Sequence, residues 1–292
     1  MNREDFEILN QNLIYFDNGA TTLKPRILGE TISEYYNEYS ANAHRGDYDI
    51  SLKVDAMYEN TRDLVRDFLN AKDRKEIIFT SGATASLNQI VFGFFRFYLK
   101  EDDEVLLTKS EHASNLLPWF EIGANVSYIP LDEHYKVTLQ AVKDAITPHT
   151  KVISIAHISN VIGDERDIAS IIAYAHQKNI LVVIDGAQSV PHQKIDVQAL
   201  DIDFLAFSAH KMCGPTGVGV LYAKKDLLAQ MKPMNYGGGM NVSFKTDGTR
   251  IYQEPPTLFE AGTPNIAGVI GFGKIIEYLT SIGMDTIQKH ER

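Results

Sequence analysis

The chain has 292 residues, 44% of them hydrophobic, and a formal net charge of −10 with no offsetting run of Lys and Arg. That length suggests roughly two domains, or one large α/β domain with appendages, and the negative balance argues against nucleic acid or an anionic membrane surface as a partner. The single cysteine, Cys213, excludes an intrachain disulfide framework and fits a reducing compartment.

In chain order, the first residues, Met1-Asn-Arg-Glu-Asp-Phe-Glu7, are polar and acidic, unlike a signal or transit peptide. No apolar run approaches the ~18 residues of a membrane span, so a soluble cytoplasmic protein with no membrane partner is expected. Val54, Met57, Leu64, Val65, Phe68 and Leu69 fall on one helical stripe. Short β-branched runs then alternate with helix-period segments. Strands are predicted at 77–80, 105–108, 126–129, 152–156, 181–184, 204–207 and 218–222. Several are apolar at nearly every position, as strands buried on both faces of a mainly parallel sheet are. A second helical stripe, Ile168, Ile171, Ile172 and Ala175, lies between the fourth and fifth of them. This alternation predicts an α/β fold with right-handed crossovers. Residues 265–282 read as a long helix. The last residues, Gln288-Lys-His-Glu-Arg292, read as the start of another helical stretch with nothing to close it. Truncation is the expectation there, and a frayed natural C-terminus the alternative.

Ligands on open α/β sheets bind beyond the carboxyl ends of strands, and several polar clusters fall at such ends. Ser81-Gly-Ala-Thr84 follows the first strand and opens a helix pattern. It reads as a phosphate cradle of backbone N–H groups, or as an ordinary Ser/Thr helix cap. His112 follows the second strand; it could stack on a flat ring and move protons, or be a plain hydrogen-bonding residue. Asn160 follows the fourth strand, as an amide for a phenolic oxygen or carboxylate, or as a turn residue ahead of Gly163. Asp185 ends the most apolar strand and Lys211 lies just past the sixth, between Ser208 and His210 and a turn through Gly214-Pro-Thr-Gly217. A lysine able to form an imine and a carboxylate able to hold a pyridinium proton are what pyridoxal phosphate chemistry needs. The plain alternatives are a solvated lysine and a turn aspartate. No His, Cys and carboxylate cluster has metal spacing, so no metal is expected. Cys213 lies two residues from Lys211 and reads as a small packed residue. No Gly-x-Gly-x-x-Gly follows a strand, which argues against a nicotinamide dehydrogenase.

These residues also resemble, in order and across essentially the whole chain, the cysteine desulfurases of the class V aminotransferase superfamily, and most nearly the SUF-type group that includes selenocysteine lyases. The matching motifs are Tyr15-Phe-Asp-Asn-Gly-Ala-Thr-Thr22, Ala43-His-Arg-Gly46, Thr80-Ser-Gly-Ala-Thr84, Ser110-Glu-His112, His157-Ile-Ser-Asn-Val-Ile-Gly163, Asp185-Gly-Ala-Gln188, Phe207-Ser-Ala-His-Lys211 and Phe259-Glu-Ala-Gly-Thr-Pro-Asn265. The resemblance implies fold type I of the PLP-dependent transferases, with a mainly parallel seven-stranded sheet flanked by helices. Residues 1–20 would contribute to a small domain and the active site, 21–265 would form the PLP-binding domain, and 266–292 a linker helix. Lys211 would bind the cofactor covalently and move protons at the substrate α-carbon. Asp185 would pair with the ring nitrogen, Gln188 with the phenolic oxygen, and His112 would stack on the ring. Ala83, Thr84, Ser208 and His210 would hold the phosphate. Asn160, Gly19 and Ala20 would help hold L-cysteine, or L-selenocysteine, near His44. Thr263 would reach the phosphate of the neighbouring subunit in a homodimer, and sulfur would pass to an acceptor protein for iron–sulfur cluster assembly.

The departures from the family pattern carry expectations too. Its members continue for roughly a further hundred residues, about one small domain, with the cysteine that takes substrate sulfur and the arginine that clamps the carboxylate. Cys213 does not sit at that cysteine's position, and Arg45 is the nearest candidate clamp. Ala113 stands where many members have a second histidine. The expectation is weak or partial PLP binding and no desulfurase turnover by this chain alone. The alternatives are another class V lyase or aminotransferase, or a non-catalytic PLP-binding fragment.

Overall fold

The computed structural model describes residues 2–43 and 46–291. Seven strands form one sheet: β1 (Ile77–Thr80), β2 (Glu104–Thr108), β3 (Asn125–Ile129), β4 (Thr150–Ala156), β5 (Leu181–Asp185), β6 (Phe204–Ser208) and β7 (Gly219–Ala223). Their order is β1-β7-β6-β5-β4-β2-β3. β7 runs antiparallel to both its neighbours, and every other pairing is parallel. All seven predicted strands are present. The last is displaced by one residue, because its register against β1 runs from Thr80↔Gly219 to Ile77↔Tyr222. Val218 is left outside the ladder, where its carbonyl accepts from the Ala209 N–H. After β7 comes a separate antiparallel hairpin, β8 (Asn241–Phe244) and β9 (Arg250–Tyr252).

The near-continuous apolar runs have a direct cause. Successive side chains of a strand point to opposite faces, and here each face meets its own core. Ile77, Phe79, Leu106, Ile153, Val182, Ile184, Leu205 and Phe207 belong to one cluster. Ile78, Val105, Leu107, Val152, Val183, Phe204 and Ala206 belong to the other. The helices cover both. In chain order the principal ones are α1 (Arg26–Glu34), α2 (Asp49–Phe68), α3 (Ala83–Ile90), α4 (Ala113–Glu121), α5 (Ile168–Gln177), α6 (Ile266–Ile282) and α7 (Met284–Glu291). α1, α2, α5 and α6 cover the first core, and α3 and α4 the second.

The long C-terminal helix expected at 265–282 is α6, with Asn265 as its cap; the Asn265 Oδ1 accepts the Gly268 N–H at 3.0 Å. α6 buries most of its length against α1 and α2. Among the described residues, no single helix is long and apolar enough to cross a membrane. Since β1, β2, β4, β5 and β6 all run the same way, their carboxyl ends lie on one edge of the sheet. The loops that follow them gather there.

Candidate active site

At that edge the loops enclose a cavity of about 410 Å³. The end of β6 and the loop after it bring Ser208, His210 and Lys211 to its wall, and the end of β5 and its following turn bring Asp185 and Gln188. The loops after β2 and β4 add His112 and Asn160, the start of α3 adds Ala83 and Thr84, and the turn ahead of α1 adds Gly19 and Ala20. Residues spread over 190 positions of sequence thus meet in one place. Thr263 is not on this wall. It is exposed, and its Oγ1 accepts from the Asn42 Nδ2 at 3.4 Å. His44 and Arg45 lie outside the described residues.

Asp185 is the last residue of β5, opposite Ala156, and is buried. Its Oδ1 accepts the Ala187 N–H at 2.9 Å, so half of the carboxylate makes the turn that a plain turn aspartate would make. Oδ2 has no hydrogen-bond partner among the described residues. Burial pushes this carboxyl up, and the Ala187 amide pulls it partly back. Lys211 shows the reverse. It is half-buried, and its Nζ makes no hydrogen bond or ion pair among the described residues. Burial lowers its proton affinity, with Asp185 opposing.

The lysine loop is held from outside the sheet. Cys213 sits in the left-handed region at φ 62°, and its N–H donates to the Thr22 Oγ1 at 2.7 Å. The His210 carbonyl accepts from the Thr22 N–H (3.1 Å), the hydroxyls of Thr21 (3.1 Å) and Thr22 (3.0 Å), and the Lys24 Nζ (2.7 Å). Burial brings Lys24 down to about 8. The Cys213 thiol is buried and pushed up by that burial, which is the wrong direction for a nucleophile. The Gln188 Nε2 donates to the Gly19 carbonyl at 2.7 Å and fixes the N-terminal turn on the opposite wall.

The turn Ser81-Gly-Ala-Thr84 is not an ordinary Ser/Thr cap. Gly82, at φ 155°, occupies the cap position of α3 and supplies no side-chain bond. The Ala83 N–H donates instead to the Ser208 Oγ across the sheet at 2.7 Å. The turn lies directly on β7: a Cβ at Gly219 would stand 2.4 Å from the Gly82 Cα. His210 is tied to this region by its Nδ1 and the Thr21 Oγ1, 3.2 Å apart, and burial lowers its proton affinity.

His112 caps α4. Its Nδ1 accepts the Ser114 N–H at 3.1 Å. The Ser114 hydroxyl bonds that of Thr84 at 2.7 Å and joins the His112 loop to the α3 turn. Asn160 lies on the cavity wall three residues ahead of Gly163, whose φ is 73°. Among the described residues, no group of three His, Cys, Asp or Glu is placed to hold a metal ion.

Several residues of the site carry no mark in the sequence. Ser114 and Lys24 lie next to recognised motifs but not in them. Glu111 lies inside the Ser110-Glu-His112 motif without an assigned task, although its carboxylate is fully buried against Arg166. A buried arginine leaves no periodic signal to find it by.

This site fits pyridoxal phosphate on three observations. An uncommitted amine and an unpartnered oxygen of a buried acid share one cavity, and the start of α3, tied to Ser208, stands at its wall, the end of a helix that favours anions. Comparison with known proteins points the same way. The "Aminotransferase class-V" family profile matches residues 14–292. A probable cysteine desulfurase of Halalkalibacterium halodurans is 42% identical over 291 residues, covering 98% of this chain and 71% of the relative. The crystal structure of the cysteine desulfurase CsdA from Escherichia coli superposes with a TM-score of 0.90 at 38% identity, over 97% of this chain and 72% of that one. The apo cysteine desulfurase of Thermococcus onnurineus NA1 superposes with a TM-score of 0.94 at 37% identity, over 99% and 72% of the two chains.

Proposed function

Because this chain belongs to the class-V aminotransferase family, among its cysteine desulfurases, we propose that it binds pyridoxal phosphate through Lys211 and takes sulfur from L-cysteine, releasing L-alanine. L-selenocysteine is the alternative substrate. The observation that carries this reading is the pairing of unpartnered Lys211 with buried Asp185 on one cavity. When bound, the cofactor supplies an electron sink that acidifies the substrate Cα–H and weakens the Cβ–S bond.

The residues of the chain do the rest. Asp185 Oδ2 holds the proton on the ring nitrogen, because a buried carboxylate is stabilised by a cation beside it. Lys211 Nζ, with its proton affinity lowered by burial, takes the proton from the substrate Cα and returns it. His112, on the cavity wall, would stack on the ring. Gln188 keeps one Nε2 hydrogen for the phenolic oxygen while the other holds Gly19. Ala83, Thr84, Ser208 and His210 take the phosphate. Asn160, Gly19 and Ala20 hold the substrate, with His44 completing that set. Residues 21–265 form the cofactor-binding body, and 1–20 close its wall.

The sulfur leaves as a sulfane atom on a thiolate, which forms an S–S bond as Cβ–S breaks. Cys213 is too buried for that role, so the acceptor thiol comes from outside these 292 residues. A sulfur-accepting protein serving iron–sulfur cluster assembly in a reducing, cytoplasmic setting fits this chemistry. Exposed Thr263, off its own cavity wall, supports a homodimer in which it serves the partner's phosphate site. The test is alanine release from L-cysteine with a thiol acceptor present. Release that depends on Lys211 supports the reading. A chain that binds PLP but transaminates or racemises cysteine instead contradicts it.

A further inference from the structure

Glu111 and Arg166 form an ion pair with both side chains fully buried. The carboxylate has four donors. Thr108 Oγ1 (2.6 Å) and Arg166 Nη1 serve Oε1, and Asn115 Nδ2 (2.8 Å) and the Ala156 N–H (2.7 Å) serve Oε2. The guanidinium also donates to the Ala156 carbonyl at 2.9 Å and to the Ser110 Oγ at 2.8 Å. Both backbone groups of Ala156 are therefore taken by these two side chains. Ala156 ends β4, lines the cavity and stands in register with Asp185. Glu111 also directly precedes His112, and Asn115, which it holds, is fixed in turn by the Ser154 hydroxyl at 2.6 Å.

A buried ion pair is not a reliable source of stability, because desolvation offsets its attraction. Its placement suggests another use. We propose that Glu111 and Arg166 are a positioning and charge-balancing pair: together they hold the His112 loop and the end of β4 in register with Asp185, and Arg166 cancels a negative charge that would otherwise lie buried beside the Asp185 carboxylate. The groups facing Asp185 fit this. After burial and the Ala187 amide, Glu111 pushes the carboxyl up, while Lys211 and His112 pull it down. The proposal rests on reading Asp185 as the acid that faces the cofactor ring, and it adds what keeps that acid ionised.

The test is the titration of Asp185, followed by carboxyl carbon NMR in the apoprotein; the pH midpoint of the visible band of bound PLP, which follows the imine nitrogen, is a separate readout of the same local charge and should shift in the same direction. Glu111→Gln should move the midpoint down by roughly one unit, since a negative charge is removed beside Asp185 while Arg166 keeps only the more distant Asp164 Oδ2, 3.9 Å away, as a counter-charge. Arg166→Met should move it up, because two buried carboxylates then compete to ionise. The double variant, neutral again, should return to within about half a unit of wild type, as a coupled pair requires. Shifts of the same sign in both single variants, or no shift, overturn the proposal. If the single variants do not fold, the double variant carries the test: folded with the wild-type midpoint supports the pair, and unfolded or displaced overturns it. A wild-type protein that takes up no PLP ends the cofactor reading, yet the apoprotein titration still decides this one.

Discussion

Gly219→Ala is the most demanding perturbation of the Gly82 turn at the edge of the site. A Cβ at residue 219 would lie 2.4 Å from the Cα, 2.5 Å from the carbonyl carbon and 2.7 Å from the nitrogen of Gly82. Relaxed carbon contacts are about 3.5–4.0 Å, so something must move by about 1 Å. All three atoms are backbone, and no rotamer relieves the clash. Residue 219 is pinned in the ladder between Thr80 and Ser208, so the Gly82 turn is what gives way. That breaks the 2.7 Å bond between the Ala83 N–H and Ser208. Overpacking of this kind costs about 3 kcal/mol, the upper end of the usual range, equivalent to a fall in Tm of roughly 6–12 °C. Gly29→Ala is the control. Gly29 lies in α1 with nothing within 4 Å of a new Cβ, so the same substitution should stabilise by about 0.5–1 kcal/mol through helix propensity. Thermal unfolding with and without PLP, together with PLP titration by absorbance, measures both. A Gly219→Ala protein that melts with wild type and binds PLP equally well refutes the reasoning.

Asp185→Asn keeps an oxygen for the Ala187 N–H, so melting should hold while alanine release falls by about 10²-fold or more; unchanged release counts against Asp185 as the ring acid. Cys213 should label slowly with a thiol reagent in the native protein and rapidly in guanidinium, and Cys213→Ala should leave alanine release intact; lost release would make Cys213 the acceptor. His157 is buried beside Gln193 and held down to about 4, burial being the main cause. Its folded value lies below the unfolded one, so its contribution is present above about pH 6.5 and is lost as pH falls through 4, amounting to roughly 3 kcal/mol. Urea unfolding between pH 7 and pH 4 should therefore show a shallower acid limb in His157→Asn, and identical limbs would contradict the buried neutral imidazole.

The sheet was legible because each strand is apolar on both faces, and Ile184 beside Val183 or Leu205 beside Phe204 leaves no helical reading of that length. Asp185 and Lys211 stood out for a related reason: a charge at or just past the end of such a run is expensive unless the site uses it. Boundaries were less legible where pairing decided them, as at Gly219, whose start is set by its partner Thr80. The supports of the site were not legible. The four donors on the His210 carbonyl come from residues nearly 190 positions away. Arg166 is buried by a contact with Glu111 across 55 positions, and no local periodicity records such a meeting. Thr84, which reads locally as a cap hydroxyl, bonds Ser114 in the first turn of α4 instead, a pairing only the assembled edge creates.

The most direct measurement is borohydride reduction of the folded protein after incubation with PLP, followed by peptide mapping. The expected result is one reduced pyridoxyl label on Lys211, lost in Lys211→Ala. A label on another lysine, or none in a protein shown to be folded, contradicts the site described.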